Sequence, residues 1–463
     1  MFALKTATRS KNLFTAFKKI RKSLSRGTAV QILCVSAKAL TMVERLEIRD
    51  LITNWLTSPP DDNSPGNILW LSAVAGAGKS TIATSISQYF RELGRLGAFL
   101  FFTRNKSDPA DVIRTIAFHL ACSNTHVASA ICTAIDNDHA LIDSPIHTQF
   151  QKLLLEPLTS AQNHIHGPIV IVLDALDECG NADSRRTLVS LISNEFPKLP
   201  PAVRFFITSR PDSDIASKFE NQPKIAKHLL DITLPSSLVD IRIYLDIEMR
   251  EIREQQELGS TWPGESKMEA LTKHSSGLFI WASTATKYLL QSYDLDHALE
   301  SLLDKGLTTL DDLYAGALEV VGPWNDPMFV REAQAALSVV ILGKTPVSVA
   351  MIDALLGCVL QWAPGQHVKI LHASFSDYLT DCARSGDKPW FIDPSILEPQ
   401  IARGCLHILK KELRFNICGF EDSHIYTTKV PDLSERTCTG VVTFQELVLI
   451  PCLMAFSKAF SQL

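Results

Sequence analysis

The run Ala73-Val-Ala-Gly76-Ala-Gly78-Lys79-Ser80-Thr81 holds glycines, a lysine and two hydroxyls at a spacing that could bind a polyphosphate. Glycines let the backbone approach anionic oxygens without Cβ clashes, and successive N–H groups can then converge on them. In that chemistry Ala75, Gly76, Ala77 and Gly78 supply amides, and Lys79 bridges the β- and γ-phosphates. Ser80 ligates Mg²⁺ and Thr81 contacts the α-phosphate. The first position of the G-x-x-x-x-G-K-[ST] pattern is Ala73, which would cost on the order of 1 kcal/mol if that residue had positive φ.

Two further runs could complete the site. Ile169-Val-Ile-Val-Leu173-Asp174 sets a carboxylate at the end of five consecutive apolar residues. An unpaired buried carboxylate is costly, so Asp174 should meet a cation, here Mg²⁺ held through water. Asp177 and Glu178 follow on a turn, where either could polarise an attacking water. Val203 to Thr208 leads into Ser209-Arg210-Pro211, and Arg210 is placed either to sense a γ-phosphate or simply to lie in a surface turn.

These residues need strands to carry them and helices to cover the strands. Short apolar runs at 68–71, 98–102, 169–173, 203–208 and 229–234 alternate with helical patterns. Alternation of that kind predicts a parallel sheet covered on both faces. The phosphate loop falls between a strand and a helix, where a helix N-terminus favours anions, and that helix is expected to carry Ile82, Ile86, Tyr89, Phe90 and Leu93 on one apolar face. After Pro235 the pattern is helical. A long apolar helix over 329–342, a start signal at Thr345-Pro346, a strand over 368–371 and a short helix through Leu379 are compatible with a winged helix. The resulting division is a basic, partly disordered leader (1–42), a linker helix (43–60) and an α/β domain (61–235). A helical subdomain (236–325), a winged-helix-like domain (326–395) and a helical carboxyl segment (396–463) follow.

At 463 residues, several domains are expected. With 46% hydrophobic and 21% charged residues, neither wholesale disorder nor a rod fits. The net charge of −5 argues against a generic nucleic-acid binder, as does the lack of a basic stretch near 329–380. No run matches a membrane span; the nearest, Val441 to Phe456, is broken by Glu446 and Pro451. The 10 cysteines form no C-x-x-C pair, which favours reduced thiols in a cytoplasmic protein. The first 26 residues hold eight Lys and Arg and no acid, with Leu13, Phe17, Ile20 and Leu24 at helical spacing. A solvated leader, a mitochondrial transit peptide and a membrane-surface helix all remain open there.

Taken together, Trp70-Leu-Ser-Ala-Val-Ala-Gly-Ala-Gly-Lys-Ser80, Leu173-Asp-Ala-Leu-Asp-Glu-Cys179 and Phe206-Ile-Thr-Ser-Arg-Pro211 resemble the NACHT domain of STAND ATPases. The resemblance is to the fungal NLR-like type, whose NTPase is also called nephrocystin-3-like. It extends to Gly277-Leu-Phe-Ile-Trp-Ala282, Leu310-Asp-Asp-Leu-Tyr314 and Leu371-His-Ala-Ser-Phe-Ser-Asp-Tyr-Leu379, and covers roughly 45–420. It implies an α/β P-loop NTPase domain, then a helical subdomain and a winged helix, folded over ADP and opening on exchange for ATP. The cofactors implied are ATP and ADP, or GTP and GDP, with Mg²⁺; the partners are copies of itself or signalling proteins. By the resemblance Gly78, Lys79, Ser80 and Thr81 hold phosphates, Asp174 holds Mg²⁺, Arg210 is the sensor, and His372 meets the ADP β-phosphate. Phe279 stands where many relatives have a proline that touches the base. The expected role is a regulatory switch with slow hydrolysis, of the kind used in innate immunity. Relatives usually continue into sensing repeats, which are expected to be missing here because the chain departs from the pattern after about Asp422. A metabolic P-loop kinase and a winged-helix nucleic-acid binder are the competing readings.

Overall fold

The structure, a computed structural model, describes residues 46–58, 66–104, 106–292, 294–304, 309–342, 360–361, 369–370, 372–386 and 388–412. The expectations for the basic leader, the start signal at Thr345 and the segment after Glu412 lie outside the described residues. The chain forms two compact units, Met1–Leu310 and Asp311–Leu463.

In the first unit, helix α1 (Leu46–Thr57) leads to β1 (Ile68–Ser72), α2 (Lys79–Glu92) and β2 (Leu96–Phe101). Helices α3 (Val112–Ser123), α4 (Thr125–Asn137), α5 (Ile146–Phe150) and α6 (Glu156–Ala161) precede β3 (Ile169–Asp174). Then come α7 (Ala182–Asn194), β4 (Val203–Ser209), α8 (Ser213–Phe219) and β5 (Ile225–Leu229). The five strands are parallel and ordered β2-β3-β4-β1-β5. The phosphate-loop strand β1 and the carboxylate strand β3 therefore flank β4, whose end carries Thr208 and Arg210.

Every residue of β3 and β4 is buried, and β3 accordingly reads as an unbroken apolar run up to Asp174. Strand β4 is apolar at Val203 and Phe205–Ile207 and buries Arg204, with its guanidinium bonded to the Gly66 and Ser58 carbonyls. Successive side chains go to opposite faces. Ile171, Leu173, Phe205 and Ile207 pack with α3, α4 and α7, while Val170, Val172 and Phe206 pack with Ile82, Ile86 and Phe90 of α2. Burying one such side chain contributes about 1.5–3 kcal/mol. On α2 the packed stripe is Ile82, Ile86 and Phe90; Tyr89 and Leu93, expected on the same face, are exposed. The strand expected at 229–234 lies earlier, at Ile225–Leu229. As an edge strand it buries Ile225 and exposes Lys227 and Leu229, so it has no continuous apolar run.

Helices α9 (Pro235–Gln255), α10 (Glu265–His274), α11 (Phe279–Gln291) and α12 (Leu295–Asp304) complete this unit. The second unit contains most of α13 (Leu310–Val321), then α14 (Pro327–Leu342), β6 (Leu360–Gln361), β7 (Lys369–Ile370), α15 (Ala373–Thr380), α16 (Cys382–Ser385) and α17 (Pro394–Glu412). The expected strand at 368–371 is β7, paired antiparallel with β6. Tyr314, Phe375, Tyr378 and Trp390 are buried in this unit, and the Tyr314 hydroxyl lies 2.9 Å from Ser374 Oγ. Among the described residues no helix is long and apolar enough to cross a membrane.

Candidate functional site

After β1 the backbone turns back on itself. The Ala73 N–H donates to Ser209 O at 3.2 Å, tying the start of the loop to β4. Gly76 and Gly78 have φ of 77° and 89°, a region L-residues rarely adopt. Space forbids a side chain at Gly76 as well, since a Cβ there would lie 2.0 Å from Ile280 Cγ2. Ala73 is not among the residues with positive φ, so the substitution at the first position of the motif carries no backbone strain.

Gly78 is the N-cap of α2 and offers no side-chain cap; the first turn has no acidic residue. The α2 amides that a cap would satisfy are thus left to a ligand, and the helix dipole favours an anion there. Lys79, the first helical residue, is buried. Its Nζ donates to Ala73 O at 2.8 Å and Val74 O at 2.9 Å, so the lysine is held by the loop it would use. Burial lowers its pKa, while the charges of Asp177, Asp174 and Glu178 work the other way. Ala77 is buried and Ala75, Ser80 and Thr81 are half-buried on the same loop and helix start.

Asp174 ends β3 and is wholly buried. Its Oδ1 accepts a hydrogen bond from Thr208 Oγ1 at 2.5 Å, and its Oδ2 has no hydrogen-bond partner. Burial pushes its pKa up to about 6, against the opposing influence of the Thr208 and Ser80 hydroxyls and the Lys79 ammonium. An orphaned buried carboxylate oxygen beside a serine hydroxyl fits a divalent cation. Among the described residues no group of three or more His, Cys, Asp and Glu side chains could hold a metal. Mg²⁺ needs no such group, because it takes one or two protein ligands and fills its octahedron with water and phosphate oxygens.

Three residues on, the turn is wired differently. Asp177 Oδ1 accepts from the Arg210 N–H at 3.0 Å, and its Oδ2 lies 3.2 Å from Arg210 Nε. The Asp177 carbonyl accepts from Arg185 Nη1 at 2.5 Å, and Arg185 grips Asp214 with two bonds of 3.0 Å. Asp177 is therefore committed to its arginine. Glu178 accepts from the Arg104 N–H at 3.2 Å, and burial together with the Asp177 charge pushes its pKa up to about 7. A carboxylate with its pKa near neutrality is suited to exchange a proton with water. The two acidic candidates on this turn thus separate in character.

The structure brings together Lys79, Asp174, Asp177, Glu178 and Arg210, since Lys79 feels the charge of the other four. His372 belongs to the second unit, where it is the N-cap of α15 and its Nδ1 accepts from the Ser374 N–H at 3.2 Å. Phe279 lies beside the loop: its ring is 3.5 Å from where a Gly78 Cβ would be, and the next residue's N–H donates to Gly76 O at 3.3 Å. Three participants were not anticipated: Thr208, Arg185 and Ala175. Thr208 had a signal, as a hydroxyl directly after the apolar Phe205-Phe206-Ile207; the αL conformation of Ala175, at φ 58°, had none.

Residues 46–210 match the protein family described as Nephrocystin 3, N-terminal. The chain is similar to the vegetative incompatibility protein HET-E-1 of Podospora anserina, with 20% identity over 302 residues. That alignment covers 64% of this chain and 22% of the relative, so the chain spans about a fifth of the curated relative's length. A signal transduction ATPase with numerous domains (STAND) and a tetratricopeptide repeat sensor, from Pyrococcus horikoshii, aligns with a TM-score of 0.42 and 12% identity over 79% of this chain and 48% of its own. CDC6P from Pyrobaculum aerophilum aligns at TM-score 0.30 and 12% identity, over 84% and 97%. The family match coincides with the segment that carries the phosphate loop, Asp174, Asp177, Glu178 and Arg210.

Proposed function

We propose that this chain, whose residues 46–210 match the nephrocystin-3 N-terminal family, carries a NACHT-type P-loop NTPase domain and is a regulatory switch set by a bound nucleotide. The observation that carries the reading is the self-paired site: Lys79 bonds the carbonyls of its own loop and Arg210 is held by Asp177. A nucleoside triphosphate would replace these contacts with phosphate oxygens, so binding and rearrangement are one event. Moving a two-state equilibrium from 1:99 to 99:1 takes about 5.5 kcal/mol of differential affinity, within reach of several charge-assisted bonds.

In this reading the loop amides, Gly78, Lys79 and Thr81 bind phosphates, and Ser80 and Asp174 hold Mg²⁺, which would neutralise charge on the phosphate oxygens. Glu178 takes a proton from water, and Arg210 stabilises negative charge after release from Asp177. ATP with its product ADP, or GTP with GDP, is the nucleotide pair, and hydrolysis is slow. Self-association or recruitment of a partner protein in the cytoplasm is the output.

Sizing the purified chain by light scattering, with ADP and with a non-hydrolysable ATP analogue, tests the proposal. A change in mass or hydrodynamic radius between the two nucleotides is expected. Identical behaviour combined with steady turnover above about 1 per second would favour a conventional enzyme.

A further inference from the structure

We propose that Thr208 is a positioning residue that turns the Asp174 carboxylate so that one oxygen stays available for a divalent cation. The inference rests on the nucleotide reading above and concerns how this chain prepares its metal ligand.

The bond pattern leaves the hydroxyl little choice. A threonine hydroxyl carries one proton and two lone pairs. Thr208 Oγ1 accepts from the Ala175 N–H at 3.0 Å, so one lone pair is engaged. Its proton goes to Asp174 Oδ1 at 2.5 Å. Thr208 is wholly buried and β-branched in a strand, which restricts its side-chain torsion. The β3–β4 register pairs Leu173 with Ile207, so Thr208 stands one step beyond that pair, beside Asp174. The Ala175 amide that completes the clamp belongs to a residue in the left-handed region, at φ 58°. Such a conformation in a non-glycine residue costs about 1 kcal/mol and persists only where surrounding contacts hold it.

The consequence is an unequal carboxylate. Oδ1 accepts from Thr208, while Oδ2 is buried with no hydrogen-bond partner. Without the clamp the carboxylate could rotate about its last torsion, which is broad for aspartate. Rotation would share the two oxygens between inward and site-facing orientations and weaken metal binding, while leaving the amides and Lys79 that grip phosphate untouched.

The measurement is the ratio of affinities for a fluorescent ATP analogue with Mg²⁺ and with EDTA, on the full chain and its variants. Thr208→Val keeps the shape and loses the hydroxyl, and Thr208→Ser keeps the hydroxyl. For Thr208→Val the Mg²⁺ enhancement is expected to fall about tenfold, with affinity in EDTA held within about twofold, and Thr208→Ser should restore the enhancement. If Thr208→Val does not fold by circular dichroism, Thr208→Ala takes its place. Wild-type enhancement in the folded hydroxyl-free variant, or equal loss of affinity with and without Mg²⁺, would overturn the proposal. A wild-type chain that binds no nucleotide in either condition would instead overturn the functional reading.

Discussion

The end of β3 and the turn after it carry the same chemical groups under opposite rules. At Asp174 the carboxylate is buried, clamped on one oxygen by a neutral hydroxyl and left open on the other. At Asp177 both oxygens are engaged by Arg210, and the backbone carbonyl is gripped by Arg185. In the proposed reading the first would take its cation with the nucleotide; the second already has an arginine. A buried charge must be compensated, either by a fixed internal partner or by one that comes and goes. Asp177 illustrates the fixed solution and Asp174 the exchangeable one, and the committed charge of Asp177 in turn raises the pKa of its neighbour Glu178.

Removing the phosphate grip should have the largest effect. Lys79→Ala deletes the ammonium that feels the charges of both Asp174 and Asp177, and nucleotide affinity should fall about a hundredfold, read by calorimetry or by loss of the Mg-ATP thermal shift. Undiminished binding would mean that the phosphate loop does not hold the nucleotide. Next in size, Glu178→Gln should slow hydrolysis about a hundredfold while leaving binding intact. Because Glu178 must be ionised to accept a proton and its pKa is pushed up to about 7, the wild-type rate should rise between pH 6 and pH 8 and level off above. A profile flat across that range would remove Glu178 from the reaction.

Asp177→Asn sharpens the contrast more gently. It withdraws a negative charge beside Glu178, so the midpoint of the pH–rate profile should move to lower pH, measured as phosphate release. It also takes the Asp177 partner away from Arg210, and the two effects separate in a double variant with Arg210→Ala. The smallest effect is expected for Ala175→Gly, which relieves a left-handed alanine next to the Thr208 clamp. A change in unfolding free energy no larger than about 1 kcal/mol is expected from denaturant titration. A larger loss would show that the alanine side chain does more than tolerate the turn.

Much of this was legible in the sequence where the cause is local. The loop reads from Gly76, Gly78 and Lys79 because glycine conformation and the helix start are properties of neighbouring residues. Strand β3 reads from Ile169 to Leu173 because a strand buried on both faces must be apolar throughout. The edge strand β5 was misplaced for the complementary reason: exposed on alternate residues, Ile225-Ala-Lys-His-Leu229 lacks that signal. The apolar face of α2 was drawn too wide at Tyr89 and Leu93, because periodicity marks a stripe without saying where the covering layer ends.

The sequence alone determined which side chains are available and the order in which they reach the carboxyl edge of a parallel sheet. It could not assign partners among the charges. Thr208 meets Asp174 at a sequence separation of 34, and Arg210 meets Asp177 at a separation of 33, only because β4 inserts between β1 and β3. Tertiary structure decided that Asp174 keeps an oxygen without a hydrogen-bond partner, that Asp177 is spent on an arginine and that burial pushes the Glu178 carboxyl up. Desolvation and charge coupling depend on distances in space, and those are set by strand order rather than by chain neighbours.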